Sequence, residues 1–321
     1  WNVAVNGVMA GCRPEYMPIL IAVVEAVLDP DFWLEDAGAT PGWEPLIVLN
    51  GPLIDELEFN HGAGVMRVGR RANTSIGRFL RLYMRNVAGQ RIPPAATDKG
   101  SIAFSFNVVL PENEPAVLDM GWQPFSVDRG FQAGDNIVTL QSCVNVSQPV
   151  YTGGRSALNH VEILAEVLGE ANAYWAHCGI LHRRNYPLLV LGPSVAKAIA
   201  EDGWSKDDIR RYFHDKVRMP AGLVEKYARN GHFADYDLKS LVARGILPPE
   251  YHESDDPQRL VRVFVKPEWI NIVVAGDPGR AQSKCYIQNH RQGMPVSRRI
   301  RLPKDWKQLL QASRVRQQSA G

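Results

Sequence analysis

A cysteine stands in the run Gly11-Cys12-Arg13-Pro14-Glu15-Tyr16, just before the apolar stretch Met17 to Leu28, and no other segment concentrates reactive side chains so tightly. A helix starting near Pro14 puts Cys12 at its amino end, where free N–H groups and the helix dipole favour a thiolate. Arg13 supplies a cation to lower the thiol pKa and to meet a substrate's negative group, and Glu15 or Tyr16 can move a proton. The chemistry expected is nucleophilic or redox, with Cys12, Glu15 and Tyr16 catalytic. The competing reading is a free cysteine packed as a small hydrophobe.

Two further segments suit anions. Phe59-Asn60-His61-Gly62-Ala63-Gly64 leads into Arg67, Arg70 and Arg71, and the helix that follows carries Arg78, Arg81 and Arg85 on one face. Glycines let backbone approach a ligand, and arginine grips carboxylate or phosphate in bidentate fashion. The run matches neither the Walker pattern nor the dinucleotide fingerprint, and ordinary surface ion pairs also account for Arg81 and Arg85. Asp277-Pro278-Gly279-Arg280-Ala281-Gln282-Ser283 and Met294 to Arg299 form a second pair of loops able to cradle an anion; the plain alternative is a tight turn beside a basic edge strand. Arg78, Arg280 and Ser283 are the binding residues expected from these segments. Glu112-Asn113-Glu114 offers paired carboxylates for acid–base work, or simply a solvated cluster. The eight histidines include no His-x-x-x-His pair, which leaves a metal site only to residues distant in sequence.

The elements that must hold these residues read as an α/β fold: a mixed or mostly parallel sheet with covering helices, arranged as one unit or as two similar α/β halves. Leu46 to Asn50, Leu188 to Leu191 and Ile272 to Ala275 are short apolar runs ending in Gly and Pro, as strands covered on both faces do. Loops after such strands collect where open α/β sheets bind ligands. Asn73 or Thr74 is expected to cap a helix running to Asn86, Asn159 one running to about Trp175, and Ser205 one running to about Lys216. Strands are expected over Ser101 to Leu110 and Asn136 to Val146, with a long loop from Pro111 to Gly134 between them. Pro93-Pro94 marks a linker. The last eight residues are expected to fray. A cut near residue 150 gives halves of 1–150, with the Cys12 segment and the Arg/Gly loop, and 151–321, with the Gly-Pro and Asp-Pro-Gly loops.

Composition narrows the class. The chain has 321 residues, is 45% hydrophobic and sets 36 Lys and Arg against 34 Asp and Glu. That argues for a full core and against disorder, nucleic-acid binding or a membrane surface. Met17 to Leu28 is too short to span a bilayer. Four scattered cysteines without a Cys-x-x-Cys pair fit a reduced, cytoplasmic protein. The chain opens at Trp1, so a removed leader stays open. The scattered tryptophans point to an oligomer.

Gly11 to Pro18, Asn50-Gly51-Pro52, Arg71 to Arg78, Gly192-Pro193 and the Asp202 to Arg211 run together resemble the large carboxyl-terminal region of the bacterial UGSC-motif proteins, named for selenocysteine or Cys followed by Gly-Ser-Cys. The resemblance implies thiol or selenol chemistry, with Cys12 on a pocket floor lined by Asn50, Asn73 and Arg78. This chain contains no Cys-Gly-Ser-Cys, so the motif belongs to a second subunit or Cys12 works without it. The leading expectation is a thiol-dependent oxidoreductase, or one subunit of a multisubunit complex, acting on a small anionic substrate with no cofactor specified. The alternatives are a metal- or carboxylate-dependent hydrolase or lyase, and a non-catalytic subunit whose partner carries the reactive centre.

Overall fold

The computed structural model describes residues 1–37, 42–92, 105–182, 184–231, 233–288 and 293–318. Its first part runs α1 (Asn2–Ala10), α2 (Met17–Val27), β1 (Glu44–Asn50), α3 (Leu53–Glu56), α4 (Arg71–Asn86), β2 (Leu110–Pro111), α5 (Glu114–Asp119), α6 (Phe125–Asp128) and β3 (Ile137–Cys143). The second runs β4 (Asn145–Val146), β5 (Val150–Tyr151), α7 (Ala157–Ala173), α8 (Ala176–His182), β6 (Leu188–Leu191), α9 (Pro193–Glu201), α10 (Lys206–Lys216) and β7 (Arg218–Pro220). It continues through α11 (Ala221–Gly231), α12 (Leu238–Ala243), β8 (Leu260–Arg262), β9 (Asn271–Val274), β10 (Gln282–Ile287), β11 (Val296–Arg299) and α13 (Trp306–Gln318).

The fold is α/β with two mixed sheets. One has the order β11-β3-β1-β2, the other β4-β10-β6-β9 with β5 also on β10. In the first, β1 is central, parallel to β2 and antiparallel to β3. In the second, β6 is central, parallel to β9 and antiparallel to β10. The trio β1, β2, β3 therefore recurs as β6, β9, β10, and the two halves are similar in topology. The three apolar runs read from the sequence are the strands β1, β6 and β9.

Side-chain alternation sets the layers. Leu46 and Val48 of β1, Leu110 of β2 and Cys143 of β3 share one apolar cluster with Leu188, Val273 and Tyr286, so the sheets face each other. Their intervening neighbours, such as Ile47 and Leu49 on one sheet and Leu189 and Leu191 on the other, belong to the helix-bearing core. The helices α2 and α4 cover the first sheet, with Leu20, Val23, Ile76 and Phe79 buried; α7 and α9 cover the second through Val161, Leu164, Val195 and Ile199. No helix among the described residues is long and apolar enough to cross a membrane.

Several boundaries differ from the sequence reading. Residues 14–16 form a 3-10 turn, and an unforeseen helix, α1, precedes Cys12. Helix α4 begins at Arg71, because the Asn73 side chain is taken up by the loop before it and cannot cap. Ser156, not Asn159, caps α7, which stops at Ala173. Ser205 and Asp208 do form the expected capping box on α10. The supposed loop from Pro111 to Gly134 contains α5 and α6, the first capped by Asn113. Of the strand expected over Ser101 to Leu110, residues 101–104 lie outside the described residues, as does the Pro93-Pro94 linker. Within 105–110 only Leu110 is in a strand. Helix α13 continues to Gln318, where fraying was expected from Arg314; Trp306 Nε1 and Arg314 Nη2 both donate to Glu56. The chain changes sheets between Cys143 and Asn145, and β11 returns to the first sheet, so residue 150 separates the strands only partly.

One carboxylate joins the halves. Glu112, fully buried just beyond β2, accepts from Asn50 Nδ2 (2.7 Å), Phe125 N (2.6 Å) and, in the other sheet, Val274 N (3.3 Å). Lys206 of α10, 5% exposed, stands 3.6 Å from Glu112 and 3.4 Å from Asp128. Removing either member strands a buried charge, so Glu112→Ala and Lys206→Ala should each cost about 3–5 kcal/mol in urea unfolding. Lys239→Ala, which breaks an exposed pair with Asp255, should cost no more than about 1 kcal/mol. Equal small losses at all three positions would contradict the assignment of Glu112 as the link between sheets.

Candidate functional site

The turns after the central strands need glycine for steric reasons. Gly51 has φ +101, and a Cβ there would lie 2.5 Å from Asp135 O. Gly192 has an ordinary φ, but its Cβ would lie 2.6 Å from Gln282 O, so glycine lets the start of α9 press against the 280–282 loop. On the opposite side Asn73 splints the loop that leaves α3. Its Oδ1 accepts from Asn60 N and its Nδ2 donates to Asn60 O, both at 2.8 Å. Gly276 N then donates to His61 O (2.9 Å), tying this loop to the one that follows β9.

The two loops close over a cavity of about 530 Å³ between the inner faces of the sheets. Arg67, Arg280 and Lys284 line it, and Asp277 is the one acid among its described lining residues. None of the three cations forms an ion pair among the described residues. Arg67 and Arg280 are exposed, whereas Lys284 is half-buried. Lys284 pairs in register with Val190 and follows Gln282, whose Nε2 donates to Tyr151 OH (2.5 Å). Leu110, Val190 and Tyr286 give the cavity an apolar side. A half-buried ammonium without a carboxylate is uncommon, and it suits an anionic ligand.

Cys12 lies outside this cavity. It follows the carboxyl end of α1, where Gly11 adopts the left-handed conformation and Cys12 N bonds Gly7 O at 2.9 Å. Cys12 thus stands between the negative end of α1 and a 3-10 turn, residues 14–16, that opens at Pro14 as expected and runs on into α2, whose α-helical part starts only at Met17. Burial pushes the thiol up to about 11, against a hydrogen bond from Ser75 and the charge of Arg71, both on α4. Arg13 lies 3.9 Å from Glu15 instead. The expected activation of the thiol by Arg13 is thus corrected: the sulfur is protonated at neutral pH and its cation is Arg71, whose Nε donates to Gly11 O (3.1 Å). Glu15 and Tyr16 are both buried, and burial raises the Tyr16 phenol.

The remaining sequence candidates separate. Asn50 is fully buried and donates through Nδ2 to Glu112 (2.7 Å) and Glu114 (2.8 Å), while its Oδ1 has no partner. Its role is to bridge two carboxylates. Burial raises the Glu114 carboxyl, helped by the charge of Glu112. The simple solvated-cluster reading of Glu112 to Glu114 is therefore wrong for Glu112. Asn73 is a strut, and Arg78 is exposed and is not among the residues that line the cavity. Arg280 and Ser283 do line the cavity, with Ser283 buried. The 294–299 segment is instead the basic edge strand β11, where Arg298 pairs with Asp29, and Arg299 with Asp135. Arg81 pairs with Glu44 at 2.9 Å. No group of three or more His, Cys, Asp or Glu is placed to hold a metal ion among the described residues.

Lys284 and Tyr151 escaped the sequence reading. The available signal was a lysine inside Gln282-Ser283-Lys284-Cys285-Tyr286-Ile287, at a position that alternation assigns to the same face as Tyr286. No family model matches the chain, and no curated protein or solved structure matches it.

Cys143, Cys178 and Cys285 are sealed in the core, so alkylation of the native protein reports on Cys12. Iodoacetamide labelling should show a midpoint near pH 11. The Arg71→Ala variant should move it higher, because the lowering charge is gone. A midpoint at or below about 8.5, the ordinary thiol value, would contradict this environment.

Proposed function

We propose that this chain binds, and acts on, a small anionic molecule in the cleft between the two sheets. The observation that carries the reading is the set of three cations without an ion pair among the described residues, Arg67, Arg280 and Lys284, brought to one cavity from the loop after α3, the loop between β9 and β10, and β10 itself. The cleft also adjoins the carboxyl ends of β6 and β9, the position where α/β sheets place their ligands. Ionic groups of this kind supply orientation and charge neutralisation.

A second reading is favoured by the meeting of Cys12 with Ser75 and Arg71. The resemblance to the UGSC-motif proteins makes Cys12 the thiol-bearing side of a two-subunit site, with Cys-Gly-Ser-Cys or its selenocysteine form supplied by a partner. A protonated thiol at neutral pH then needs a base from the partner or the substrate before it reacts.

Calorimetric titration of inorganic phosphate, sulfate and malonate separates these readings. Anion binding in the cleft predicts that Lys284→Ala and Arg280→Ala each weaken affinity about tenfold or more. Added salt should weaken it too, and Arg78→Ala should leave it unchanged. Affinity lost in Arg71→Ala but kept in Lys284→Ala would move the anion to the Cys12 cluster.

A further inference from the structure

The inner face of β10 is built in two parts. Tyr286 packs into the apolar layer between the sheets, with its ring 5.5 Å from that of Phe106. Two residues back on the same face, Lys284 stands where the layer calls for an apolar side chain, opposite Val190 and beside the cavity. Around it the lining changes character. Val65, Met66, Leu110, Val190 and Ala275 form a continuous apolar side, and the three cations stand against it with Asp277 as the only acid among the described lining residues. Among the described residues this leaves two positive charges uncompensated. A cavity made for a bare ion has no use for so much apolar wall, and one made for a hydrocarbon has no use for the charges.

We infer that the cleft selects an amphiphilic dianion: a phosphate monoester, or a head of equal charge, carried on an aromatic or branched hydrocarbon body. The inference deepens the anion reading of the cleft and rests on it. A phosphate monoester carries close to two negative charges at neutral pH and three acceptor oxygens, which matches the uncompensated charge. Lys284 and Arg280 hold the head. The body lies along Met66 and Val190, and Tyr151 with Gln282 closes one side through their mutual hydrogen bond. The cavity, about 530 Å³, leaves room for a body larger than the head alone.

The test is calorimetric titration of wild-type protein, at fixed ionic strength, with phenyl phosphate, inorganic phosphate and benzoate. Phenyl phosphate should bind about tenfold or more tighter than either of the others, since each lacks one half of the recognised pattern. Met66→Ala and Val190→Ala should weaken phenyl phosphate several-fold and leave inorganic phosphate unchanged. Equal affinity for phenyl and inorganic phosphate removes the apolar body from the inference while the small-anion reading stands. Equal affinity for benzoate and phenyl phosphate removes the dianion. If none of the three binds, the small-anion reading falls together with the inference.

Discussion

A buried carboxylate ties the ends of the two sheets together. Glu112 collects an amide from Asn50, backbone N–H groups from Phe125 and Val274, and the ammonium of Lys206, and those donors come from both sheets and from α10. A charge with no solvent access is tolerated only with such complete satisfaction. The same bonds fix the ends of β1, β2 and β9 relative to one another, and the loops that leave those strands are the walls of the cleft. The cleft's geometry is thus inherited from an ion cluster that does not itself line it.

The duplicated topology gives the cleft its place. Each half has a central strand, a parallel neighbour and an antiparallel neighbour, and each buries one sheet face under helices and the other against its counterpart. Between facing sheets, apolar side chains normally fill the layer. Lys284 interrupts that layer at one end, with Arg67 and Arg280 at its exposed rim, where Asn73 and Gly192 hold the two loops in position. This departure from the packing rule at a concave, polar-rimmed spot is what the proposed binding site rests on.

The parts of this fold with strong local signals were legible in the sequence. Continuous apolar runs gave β1, β6 and β9, the Ser205 capping box gave the start of α10, and the Asp-Pro-Gly loop led to Arg280 and Ser283. Long-range partners decided the rest. Asn73 reads as a cap until its side chain is seen bonded to Asn60 across the loop, and Glu112 reads as surface until Lys206 and Val274 surround it. Cys12 shows the limit most clearly. The Pro at position 14 signals a helix start, yet the sulfur also follows the carboxyl end of α1, and burial raises its pKa.

A crystal structure of the protein with phenyl phosphate bound tests the central claim most directly, that the space between the sheets is the ligand site. The account predicts phosphoryl oxygens within hydrogen-bonding reach of Lys284 and Arg280, with the ring against Val190 and Met66. Ligand beside Arg71 and Cys12, with the cleft empty, would contradict it.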